Sequence, residues 1–172
     1  MAPDLRLQSV FPLPEARHLP GLNDRPEEGP VLAAAALARQ AFDPEAWSDS
    51  AAYLYGFDLL AGGFFWEAHE VWEPAWMRCL PNSLQRKVLQ GLIQGVNAGL
   101  KSVIERPKAA RRLLHLAAVC FEEAGGGRLI LGVEPGLAAA ALRSLAREAE
   151  GTEIDRLVSC CNCLQPRGII MH

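Results

Sequence analysis

The chain has 172 residues, half of them hydrophobic and 22% charged, with a formal net charge of −3. That usage belongs to a globular chain long enough to bury a core and excludes a disordered or fibrous one. No basic stripe runs along any expected helix, so phosphate-backbone binding has no electrostatic support and no nucleic-acid partner is expected.

No apolar run reaches the roughly 18 residues a membrane-spanning helix needs, which argues against a membrane partner. Residues 1–6 lack the charged-then-apolar pattern of a secretory signal. The cysteines, Cys79, Cys120, Cys160, Cys161 and Cys163, are odd in number, which fits reduced thiols in a soluble cytoplasmic protein.

Along the chain, residues 1–30 hold six prolines and no periodicity, and so read as an extended arm, either draped over the domain or mobile. Helix propensity rises at Val31 and runs through the alanines that follow. Asp43-Pro44-Glu45 supplies an N-cap, a first-turn proline and an early acid. A helix over about 50–61 closes at Gly62-Gly63, and the next spans about 64–78. Pro81-Asn82-Ser83 breaks the chain and caps a helix over about 84–105. Pro107 opens another to about Ala124, ended by Gly125-Gly126-Gly127, and Glu134-Pro135 opens one to about Glu150.

Thr152 and Asp155 have capping-box spacing for a last turn. Period-two alternation is confined to the short Leu129-Ile130-Leu131 stretch. Short loops imply antiparallel neighbours. The expected fold is all-α, a compact bundle of about five to six helices. Residues 1–30 form the proline-rich arm, 31–150 the helical domain and 151–172 a C-terminal tail. In that tail Cys160 and Cys163 have Cys-x-x-Cys spacing. Only His172 lies near as a fourth zinc ligand, and the strand-then-helix setting of redox motifs is missing, so these thiols read as incidental.

At 100° per residue the 64–78 helix is strongly amphipathic. Phe64, Phe65, Ala68, Val71, Trp72, Ala75 and Trp76 fill one arc, with Glu67, Glu70 and Arg78 opposite. This places Glu67 in solvent. Glu73 falls between the apolar arc and a patch of Trp66 and Met77, and is the acid expected to be buried, with His69 one turn earlier as its partner. Pro74 removes a bond to the Glu70 carbonyl and predicts a kink or early break. On the 84–105 helix, Gly91, Gly95 and Gly99 form a stripe that predicts close approach of another helix or a ligand. Gln90, Gln94, Asn97 and Lys101 form a polar line beside it, which reads first as a solvated face; the alternative is that Gln94 turns inward to meet Glu73 or His69.

Several of these segments resemble a known family. Tyr53-Leu54-Tyr55-Gly56-Phe57-Asp58, Gly63-Phe64-Phe65-Trp66-Glu67-Ala68-His69-Glu70-Val71-Trp72-Glu73 and Gln90-Gly91-Leu92-Ile93-Gln94 are similar to the domain of unknown function 309 family. Ala109-Ala110-Arg111-Arg112-Leu113-Leu114 and Gly132-Val133-Glu134-Pro135 extend the resemblance, which covers about residues 50–147. It implies a compact helical fold and brings no settled activity. The chain departs from the pattern at Pro74 and at Ala109, where glycine is common.

Three functional readings fit. In the first, His69, Glu73 and Gln94 form a satisfied buried polar network, and the protein is an interaction or scaffold module with a protein partner or a second copy of itself. In the second, a small-molecule pocket lies between the central helices, lined by His69, Glu70, Glu73, Trp66, Trp72, Trp76 and Gln94, with Glu73 or His69 as general base of an enzyme. In the third, His69-Glu70-Val71-Trp72-Glu73 imitates a zinc-hydrolase helix, with His69 and Glu73 as ligands and Glu70 as candidate base. Against the third, Glu70 points about 100° away from His69, and His115 is the sole other histidine in the family-like core. No cofactor and no metal ligand set is assigned, and the first reading is preferred.

Overall fold

The computed structural model describes residues 9–148, and the tail motifs at Thr152, Asp155 and Cys160 to Cys163 lie outside them. The described residues form six α-helices and one short 3₁₀ helix: α1 Pro30–Ala41, the 3₁₀ helix Pro44–Asp49, α2 Ala51–Ala61, α3 Phe65–Arg78, α4 Leu84–Val103, α5 Pro107–Ala124 and α6 Pro135–Glu148. Among the described residues no strand forms. The Leu129 to Leu131 stretch becomes a tight turn with an isolated bridge between Ile130 and Val133.

Local chemistry sets most boundaries. The Ser50 and Ser83 hydroxyls accept from the backbone N–H of Tyr53 and Arg86 at 3.2 and 3.1 Å, capping α2 and α4. Asp43 caps the 3₁₀ helix through Glu45 N–H at 2.9 Å. Pro30 and Pro107 occupy first-turn positions where no donor is lost. The Glu134 carboxylate accepts from Gly127, Gly136 and Leu137 N–H, at 2.7, 3.2 and 2.6 Å, and so closes the α5–α6 loop onto the start of α6.

Helix α2 is buried from Ala52 to Leu60, apolar nearly all round as a central helix must be. Helix α3 packs against α1, α2 and α4, and the chain continues α4 on α5 and α5 on α6. The predicted break at Pro74 does not occur: α3 runs on to Arg78, with Pro74 buried. One missing N–H is tolerated where neighbouring helices hold the segment in place.

The glycine stripe divides. A methyl at Gly91 would sit 2.8 Å from the Phe121 ring, and one at Gly99 would sit 2.5 Å from the Phe65 ring, whereas Gly95 has nothing within 4 Å. The stripe is therefore two ring seats, for α5 and α3, with an open position between them. The expectation that Gly95 meets a helix is corrected. Gly95→Ala should stabilise, by up to about 1 kcal/mol of helix propensity, and raise the thermal midpoint by a few degrees. Gly99→Ala should lower it. A Gly95→Ala midpoint below that of the natural chain would show a contact there after all.

Candidate functional site

The polar residues of α3 go to three different places. The first is the face beneath the arm. Residues 9–25 lie across α2 and α3. Ser9 N–H donates to Asp58 Oδ2 at 2.9 Å, and the Tyr55 hydroxyl donates to the Pro12 carbonyl at 2.6 Å. The Arg17 guanidinium donates to the Gly62 carbonyl at 3.0 Å and lies over Phe64. His18 N–H donates to Glu67 Oε1 at 2.6 Å, and the imidazole meets Trp66 edge-on, centroids 4.5 Å apart. Arg25 bonds Glu70 at 2.7 Å and lies over the same Trp66.

The arm holds its own shape. Asn23 accepts from Leu19 N–H and donates to the Arg17 carbonyl, both at 2.8 Å. His18 Nδ1 lies 3.1 Å from the Asp24 carbonyl, which can only accept, so this nitrogen carries the proton.

Glu67 is thus the buried acid of α3, at 1% exposure, while the Glu73 side chain is 46% exposed. Both burial expectations are reversed. The helical wheel puts Glu67 on the polar side of α3, and the arm lies over that face with His18 N–H bonded to its carboxylate. Burial raises the Glu67 pKa, partly offset by the bond from His18 N–H. Its second oxygen, Oε2, is buried without a partner. Beside it, burial and the Asp58 and Glu67 carboxyls push Tyr55 up to about 12.

The second place is the edge shared with α4. His69 Nδ1 lies 3.0 Å from Asn97 Oδ1, and its Nε2 lies 3.8 Å from Glu73 Oε1. His69 and Glu73 are neighbours as expected, but the pair is partly exposed and Asn97, rather than Gln94, completes it. Further along this antiparallel edge, Arg86 stacks on Trp76 at 3.8 Å and donates to the carbonyls of Trp76 and Cys79. The Trp76 indole N–H is buried without a partner.

The third place is the core. Trp72 has no exposed surface, and its indole N–H donates to the Tyr53 carbonyl at 3.0 Å. The seven residues expected around one pocket are therefore dispersed: Trp66 and Glu70 beneath the arm, His69, Glu73, Trp76 and Gln94 on or beside the α3–α4 edge, and Trp72 inside. His115 is far from them in the fold, exposed and 3.0 Å from Arg143. Among the described residues, no three metal-ligating side chains converge.

The segment that carries these groups can be compared with known proteins. The family model of a domain of unknown function, DUF309, matches residues 53–113. No curated protein and no solved structure matches the chain. The DUF309 segment is narrower than the resemblance over about residues 50–147. It holds Tyr55, Asp58, Glu67, His69, Glu73 and Asn97, and leaves out both the arm and α6. Among the described residues, no helix is long and apolar enough to cross a membrane.

Asp58 and Tyr55 have no role in the sequence reading and Glu67 is assigned there to solvent, while Arg17, His18 and Arg25 go unnamed. The DUF309 motifs contain the first three, so a signal was present. The proline-rich composition gave an extended arm, draped or mobile, but no periodicity that could single out the others.

Proposed function

We propose that this protein is a helical interaction module whose α2–α3 face holds an extended polypeptide, a place filled in the free chain by its own arm. One observation carries this reading: the buried bond from His18 main-chain N–H to Glu67. A carboxylate taken out of water costs several kcal/mol unless it is paired or hydrogen-bonded. Here α3 directs it at a main-chain amide, a donor that nearly every residue of a peptide carries. Asp58 and Tyr55 likewise engage main-chain groups of Ser9 and Pro12. Main-chain bonds hold extended backbone, while pockets for side chains supply selectivity. Arg17, His18 and Arg25 on Phe64, Trp66 and Glu70 fit that second role. Cys79 and Cys120 are buried free thiols, which suits a reducing cytoplasm.

The test begins from the full chain with a protease site inserted between the exposed Glu27 and Glu28. After cleavage the arm fragment should travel with the helical body in gel filtration at micromolar concentration, and Glu67→Ala should weaken its retention at least tenfold. An arm that leaves a still-folded body would sink the reading.

The second reading, a small-ligand site, keeps one specific support. Asn97 orients an imidazole whose Nε2 faces Glu73 at a partly open edge. Such an imidazole can take a proton from a bound molecule. Thermal-shift screening of a metal and metabolite panel decides it. A stabilising compound whose effect vanishes in Glu73→Gln would favour the ligand site, and a panel without effect would count against it.

A further inference from the structure

We infer that the arm is exchangeable between two copies of this chain, each copy's Glu67 then receiving His18 of the other, with Gly29 as the hinge. The inference rests on the reading that the α2–α3 face holds the arm. The last arm contact to the body is Arg25 on Glu70, and α1 begins at Pro30. Everything between, residues 26–29, is exposed. The chain turns into α1 through Gly29 at φ +125° and ψ −177°, a backbone conformation essentially confined to glycine. A side chain at Gly29 would meet nothing within 4 Å, so a substitution there acts on the backbone alone.

Reciprocal exchange preserves every arm contact, because the same arm meets the same face across a two-fold axis, and only the hinge differs. In the closed chain the arm faces its own groove at an effective concentration of roughly millimolar. The natural chain is therefore closed when dilute and exchanges when concentrated. Gly29→Val penalises the closed turn and suits a straightened hinge, since valine favours extended backbone. Deleting Glu27 and Glu28 shortens the reach by about 7 Å and pushes the same way without touching Gly29.

Light scattering behind gel filtration, over a concentration series of the full chain, reads the result. Both variants should dimerise at a concentration at least tenfold below that of the natural chain. In Gly29→Val carrying the protease site, hinge cleavage should then return the dimer to monomer mass with an arm fragment still bound, because the hinges are the only bridges. If the arm is retained but both variants stay monomeric, exchange is overturned and the peptide-holding reading stands. A dimer that survives hinge cleavage overturns exchange in favour of side-by-side association. Loss of the cleaved arm from a folded body overturns the underlying reading itself.

Discussion

Gly56→Ala is expected to be among the most damaging single-methyl changes in this chain. Gly56 lies mid-way along the buried helix α2, and a methyl there would overlap the five-membered part of the Trp72 indole. Trp72 cannot retreat. It is fully enclosed, its N–H is tied to the Tyr53 carbonyl, and Phe57 packs edge-on at 4.9 Å. Overpacking of this kind costs typically 1–3 kcal/mol, and the rigid ring places Gly56→Ala at the upper end. Each kcal/mol lowers the thermal midpoint of a chain this size by about 2–4 °C. Trp72→Leu removes the indole ring that the methyl would overlap and is itself destabilising, through the cavity and the lost bond. In that background Gly56→Ala should cost far less. A double-mutant cycle by urea denaturation measures the coupling. Additive costs would mean that the two residues do not meet.

The second large effect is at Glu67. Glu67→Ala removes the acceptor of a buried main-chain N–H and leaves a cavity under the arm, for a loss of about 3 kcal/mol. Glu67→Gln keeps an acceptor for His18 N–H and should lose much less. The two also differ from the natural chain in their response to pH. The folded pKa of Glu67 is raised above its unfolded value, chiefly by burial. Its stabilising contribution is therefore fully present below the unfolded carboxyl pKa, about 4.3, and is lost as pH rises through the higher folded value. The stability of the natural chain minus that of Glu67→Gln should accordingly fall as pH rises from about 4. Urea unfolding of both at several pH values gives the difference, and a flat or rising line would show that the carboxyl is not desolvated in the native state.

These two sites also mark what could be read in advance. Helix limits were legible because their causes are local: Ser83 and Asp43 cap within three residues, Pro107 starts a helix, and Gly125 ends one. The all-α bundle follows from those signals and from apolar periodicity. The neighbourhood of His69 and Glu73 was legible for the same reason, since one helical turn fixes it. Which acid is buried was not. Glu67 lies on the polar side of α3 by its helical angle, and only a segment 49 residues earlier in the chain takes it out of water. The choice of Asn97 over Gln94 as the partner of His69, and the open seat at Gly95 between two occupied ones, depend on how α3 and α5 cross α4. Periodicity within a helix says which residues share a face, but what that face meets is set by distant segments and crossing angles, which only the assembled chain determines.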